Sequence, residues 1–178
     1  VVQSLQAIFG DRHAGNAELQ AVVARHPGRL IGLATYAPAD REPPLEALTR
    51  ARDAGMSGLV LVGAYHGYSF GSEPLIEDAL GIAGSFGWPV VAPIRLIATW
   101  WLPTNPVDGL IAAAGRHPAT NVIIAGGTYA EFEHLLQATR THPNVYVDIS
   151  GHQGLDSVRH LVERGNYAQV VLGTGQPV

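Results

Sequence analysis

The sequence predicts an α/β protein built on a buried parallel sheet, and two regularities carry that prediction. Short β-branched runs recur at 30–36, 58–63, 89–94, 121–125, 145–149 and 169–173, apolar on both faces as the strands of a covered parallel sheet must be. Amphipathic stretches of helical period separate them, near 16–26, 43–54, 73–86, 106–116, 129–141 and 155–164. Such alternation gives either an open doubly wound sheet or a closed barrel. No Gly-x-Gly-x-x-Gly follows a first strand, so periodicity alone leaves the two tied.

Each element carries its own punctuation. Asn105-Pro106 reads as an N-cap with a first-turn proline, and Thr128 with Glu131 as a capping box. Asp40 and Ser72 stand in similar places, each with a proline close behind, and Gly165 suits a helix C-terminus. The pairs His26-Pro27, His117-Pro118 and His142-Pro143 each fall between a helix and the next strand. Proline stops the helix there, and a histidine suits the negative end of its dipole. In a barrel these links lie on the face opposite the active site, so the three histidines read as structural.

Composition narrows the chemistry. The 178 residues make one domain, 47% apolar and 15% charged, with a formal net charge of -4. All eleven basic residues are arginines, scattered along the chain, which gives no electrostatic footprint for nucleic acid or acidic lipid. Without lysine there is no Schiff base, no P-loop lysine and no carbamylated metal bridge. Without cysteine there are no disulfides, thiolate ligands or thiol nucleophiles. No run has membrane-spanning length, and a cytoplasmic location is the expectation.

Several segments together resemble the amidohydrolase-related (amidohydrolase 2) family. They are Asn16-Ala-Glu-Leu-Gln, Ala24-Arg-His-Pro-Gly-Arg-Leu-Ile-Gly-Leu with Ala37-Pro38, and Ala54-Gly-Met-Ser-Gly-Leu-Val-Leu with His66-Gly67-Tyr68 and Glu73-Pro74-Leu75. Trp88-Pro-Val-Val, Asn121-Val-Ile-Ile-Ala, Asn144-Val-Tyr-Val-Asp-Ile-Ser-Gly and Leu172-Gly-Thr-Gly-Gln-Pro177 follow in the family's order. The resemblance implies a TIM-type (β/α)8 barrel that is incomplete here. The chain would begin at the end of the second strand and stop after the eighth, so the first strand, with its His-x-His pair, and the last helix are absent. The expected organisation is a single barrel domain over 1–178, trimmed at both ends; the opening Val1-Val2-Gln3 lacks an initiator methionine. A complete barrel takes about 250 residues.

Similar enzymes are metal-dependent hydrolases and decarboxylases of small carboxylates and lactones. They hold a divalent ion with histidines from strands one, five and six and an aspartate from strand eight. Here Pro-Val-x-x-His becomes Pro89-Val-Val-Ala-Pro93, the strand-six histidine falls at Gly126, and the aspartate of Gly-Ser/Thr-Asp-x-Pro falls at Gly175. None of the three has a side chain that can donate to an ion. The sequence therefore predicts a lost metal site, no cofactor, and a non-catalytic partner subunit or small-molecule binding protein. Its partner is expected to be a related barrel, in a homo- or hetero-oligomer.

The remaining residues at the expected mouth are His66, Tyr68, Arg95, Trp100, Trp101, Asp148, Ser150, His152, Thr174 and Gln176. His66, Asp148 and His152 are the candidates for acid–base work or a relocated metal site, the basis of an alternative reading as an active hydrolase or decarboxylase. Arg95 with Trp100 and Trp101 could hold an anionic, ring-bearing ligand. Gly126-Gly127-Thr128 and Gly173-Thr174-Gly175 could hold a phosphate on backbone N–H groups.

Overall fold

The computed structural model describes residues 1–95, 105–150 and 156–174. Six strands form one parallel sheet: β1 (Ala34–Thr35), β2 (Leu59–Val60), β3 (Val90–Pro93), β4 (Val122–Ala125), β5 (Val145–Asp148) and β6 (Val170–Val171). They lie side by side in chain order, and every pairing is parallel. Val2 extends the series on the far side of β1 through a parallel bridge to Gly32. A doubly wound sheet reverses its strand order at a switch point. The order here never reverses, which resolves the tie in favour of the barrel arrangement.

Helices α1 (Leu5–Phe9), α2 (Arg12–Arg25), α3 (Pro44–Asp53), α4 (Gly63–His66), α5 (Pro74–Ser85), α6 (Val107–Arg116), α7 (Phe132–Thr141) and α8 (Ser157–Arg164) occupy the connections. All six strand runs and all six long helical stretches appear near their expected places, although α2 begins at Arg12, ahead of the expected 16, and its apolar residues show almost no helical period. The short helices α1 and α4 have no such signal.

The sheet divides the apolar residues by face. Leu59 and Leu61 join Leu48, Ile76, Leu80, Leu110, Leu135 and Leu161 in the cluster between sheet and helices. The alternating residues Val60 and Val62 point the other way, packing with Leu33 and with Ile8 of α1. Helix-covered and lumenal faces thus follow the two-residue period of the strands, and Ile8 fills the lumen beside the first strands.

Some helix starts differ from the sequence reading. Thr128 and Glu131 form the capping box as expected, leading through a 3-10 turn into α7. Asn105 does not cap α6. It is buried, and its amide donates to the Pro93 carbonyl at 3.1 Å, tying down the end of β3. Asp40 is drawn into an ion pair with Arg12 of α2, and α3 begins at Pro44, after Pro43, without a side-chain cap. Ser72 gives way to Glu73, which receives the Leu75 N–H.

The opposite end of the barrel is tied by polar side chains. His26, His117 and His142 are the residues at which α2, α6 and α7 end. His117 Nε2 lies 2.9 Å from Glu77 of α5, a carboxylate that also pairs with Arg116. Asn144 is buried and donates to the carbonyls of Ala114, His117 and Thr120, which fastens the last turn of α6 to the start of β5.

Candidate functional site

The C-terminal strand ends form the mouth, where barrels place their chemistry. Pro93 and Gly126, which the family resemblance expects at ligand positions, lie at the ends of β3 and β4. Pro93 closes β3 and is paired in register with Ala125, and Gly126 follows immediately. A proline ring and a glycine offer an ion neither nitrogen nor oxygen. Gly126 adopts φ +69°, and any Cβ built there would collide with the backbone carbonyl of Arg95. The position is thus closed to a side chain in this backbone. Gly175 lies outside the described residues. Among the described residues, no three His, Cys, Asp or Glu side chains are grouped to hold a metal. Pro93 and Gly126, as the structure describes them, do not fit a divalent ion.

Arg95 explains how the backbone holds this shape. Its Nη1 donates to Gly126 O at 3.0 Å, to Thr128 Oγ1 at 3.2 Å and to Glu131 Oε2 at 2.9 Å; Nη2 donates to Glu131 Oε1 at 2.6 Å. Glu131 also accepts from the Thr128 N–H at 2.9 Å. Burial works against ionisation of Glu131, but Arg95 and the Thr128 amide outweigh it and hold its pKa down to about 2. The arrangement has two consequences. The Arg95 charge is met within the chain, and the amide of Thr128, one candidate phosphate contact, already faces a carboxylate.

The other candidates are spread around the rim. Asp148 ends β5, receives the Ser150 N–H at 2.7 Å, and lies against the backbone of Gly173. Ser150 and Thr174 are exposed. His66 sits at the end of α4, where its Nε2–H donates to the Ile8 carbonyl at 3.0 Å, leaving Nδ1 buried and without a partner among the described residues. Burial lowers its pKa, so the ring is held toward its neutral form. Tyr68 is 9% exposed, and burial raises its pKa. Trp100, Trp101, His152 and Gln176 lie outside the described residues.

Sequence reading missed the polar group around the ends of β1 and β2. Arg12 makes a two-point pair with Asp40. Tyr36, its pKa pushed up to about 12 by burial and by Asp40 and Glu42, donates to the Glu42 carbonyl at 2.9 Å. Asn16 exchanges two hydrogen bonds with the Thr35 backbone. Between them is a cavity of about 30 Å³, the size for one water molecule. The available signal was a run of Thr, Tyr and Asp just after a strand.

A sequential parallel sheet wrapped by helices, with its strand ends carrying these residues, defines a protein of the α/β barrel class. Residues 3–178 match the amidohydrolase family, and the chain belongs to it. Solved structures agree on the fold. The 2,6-dihydroxybenzoate decarboxylase from Rhizobium is 15% identical with a TM-score of 0.65, over 93% of this chain and 66% of that one. The 5-carboxyvanillate decarboxylase from Sphingomonas paucimobilis is 15% identical with a TM-score of 0.69, over 93% and 62%. A probable 2-pyrone-4,6-dicarboxylic acid hydrolase from Acinetobacter baumannii is 14% identical with a TM-score of 0.64, over 91% and 63%. The chain spans 59% to 66% of the first three structures it matches. No curated protein sequence matches it.

Proposed function

We propose that this barrel does not perform metal-dependent chemistry and acts as a non-catalytic partner subunit or small-molecule binding protein. The observation that carries the reading is the pair Pro93 and Gly126 at the ends of adjacent strands, the second backed by the Arg95 carbonyl. Without an ion, nothing lowers the pKa of a bound water toward about 7, so attack by a metal hydroxide is unavailable. Elemental analysis of the purified full-length protein tests it: the expected result is far below one zinc or manganese per chain, and a stoichiometric, tightly held ion overturns it.

The partner in this reading is a related barrel or a second copy. Light scattering on the full-length protein should give a mass of at least two chains; a monodisperse monomer contradicts the oligomeric part. The cytoplasm is the proposed location; among the described residues no helix is long and apolar enough to cross a membrane.

A second reading keeps the protein an enzyme, a hydrolase or decarboxylase of small carboxylates or lactones. It is favoured by the bare Nδ1 of His66 and the rim carboxylate Asp148. Turnover of such compounds that disappears in His66→Ala and His152→Ala would support it, and turnover unchanged in both removes those residues from the chemistry.

A further inference from the structure

Helix α1 is held against α4 by two contacts, and one of them depends on a titratable ring. The Ile8 carbonyl accepts the Nε2–H of His66 at 3.0 Å. Next to it, the half-exposed Phe9 stands edge-on to Tyr65 with ring centroids 5.2 Å apart. Between these contacts Ile8 closes an apolar cluster with Leu33, Val60 and Val62, against which Tyr65 also packs. A helix of five residues has too few backbone bonds to hold itself in place. Its position therefore rests on α4, on the apolar cluster and on the close approach of Ala7 to Gly15 of α2.

The second nitrogen of His66 makes the α4 contact sensitive to protons. Nδ1 is buried and has no partner among the described residues. In the neutral ring it is a bare lone pair; a proton there would be a buried N–H without an acceptor, the more costly state. The surrounding charges do little to relieve it. Helix α1 carries no charged side chain. From α2, Arg12 opposes a positive ring, and from the turn after β1, Asp40 favours one. Asp40 is already engaged at two points by Arg12 and also feels His13. The α4 segment and the residues after it add only the phenols Tyr65 and Tyr68.

We propose that α1 is an acid-released cover over the lumen beside β1 and β2: a neutral His66 holds it on α4, and a proton on Nδ1 frees it. Moving α1 admits water to Nδ1 and gives the new N–H an acceptor. Burial keeps the ring below its ordinary value of 6.5 in the closed form, whereas a ring freed into water titrates near that value. The released form thus binds the proton more tightly. Closure prevails near neutral pH, and release grows as pH falls below 6.5, by at most about ten-fold per pH unit because one proton is taken up. Release uncovers Leu33, Val60 and Val62. The device does not depend on the metal or binding readings above.

The test is NMR of full-length protein between pH 8 and pH 5, following the His66 ring together with NOEs from Phe9 to Tyr65 and from Ile8 to its cluster partners. The expected result is that these NOEs fade as His66 takes up its proton, while contacts of the buried Leu110 and Leu135 persist. His66→Gln keeps a side-chain N–H for the Ile8 carbonyl and has nothing to titrate, so its α1 contacts should survive the whole range. The proposal falls if the parent keeps its α1 contacts after His66 has titrated, or if the Gln variant loses them along the same acid titration. It also falls if the Leu110 and Leu135 contacts disappear together with those of α1, since that is acid unfolding of the whole chain.

Discussion

At the scale of single residues, Gly126 and Arg95 decide the character of the mouth. Glycine is the residue that tolerates φ +69° without strain. Gly126→His should therefore fail to create a metal site and should lower stability by about 1–3 kcal/mol, because it forces a side chain into both a left-handed backbone and the Arg95 carbonyl. Urea unfolding with elemental analysis of the variant checks both parts. Glu131 gives a pH signature. Its carboxyl is held down to a pKa of about 2 in the folded chain, from an ordinary value of 4.5. A depressed pKa contributes stability that is fully present above 4.5 and drains away as pH falls toward about 2. Replacing Glu131 by Gln should remove that contribution, on the order of 1–3 kcal/mol after allowing for water at the rim. The parent and variant unfolding curves should be well apart near neutral pH and converge in acid.

Little of this was legible in the sequence. Arg95 reads as a free guanidinium beside two tryptophans, but its carboxylate partner is 36 positions away and no spacing rule links them. Arg12 and Asp40 are likewise 28 positions apart. By contrast, the periodicity of the sequence alone puts Pro93 and Gly126 at the ends of adjacent strands, where the structure has them; their reading as lost ligand positions belongs to the proposal. Thr35 and Tyr65 differ again: each is an ordinary residue, and only a buried hydroxyl without a partner among the described residues sets it apart.

At the scale of elements, strands and the long helices other than α2 follow their hydrophobic periods, and departures at helix starts arise where a tertiary partner competes for a cap. Asn105 caps nothing because the Pro93 carbonyl takes its amide, and Asp40 leaves α3 for Arg12. Helices α1 and α4 escape a reading by period because five and four residues complete barely one turn. Helix α1 is placed by contacts: Gly15 of α2 lets the α1 backbone approach until a Cβ would collide with Ala7. Asn144 is the strongest element-level tie. Its amide serves three carbonyls at 2.9 to 3.1 Å, so Asn144→Ala should cost about 2–4 kcal/mol, the larger share from stranded acceptors. The Thr128 cap is a smaller case: Thr128→Ala should cost about 1 kcal/mol, read as a shift in the thermal midpoint.

At the scale of the whole molecule, the sequential parallel order turns a list of α/β units into a barrel wall. The lumen is filled unevenly. Leu33, Val60, Val62 and Ile8 are buried on the side of the first strands, while Val91, Ile123, Tyr146 and Val171, which alternate with helix-facing residues along β3 to β6, are only partly covered. Periodicity could not have shown this asymmetry, because it depends on α1 reaching across the strand ends. At the mouth of this lumen the chain puts a proline, a left-handed glycine and a closed Arg95–Glu131 pair.

Equilibrium dialysis of the full-length protein against zinc and manganese, followed by metal quantitation and repeated on Gly126→His, addresses this point most directly. The account predicts no saturable binding of either ion to either protein. One ion retained per chain of the unaltered protein, with ligands traced to the strand ends, would contradict it.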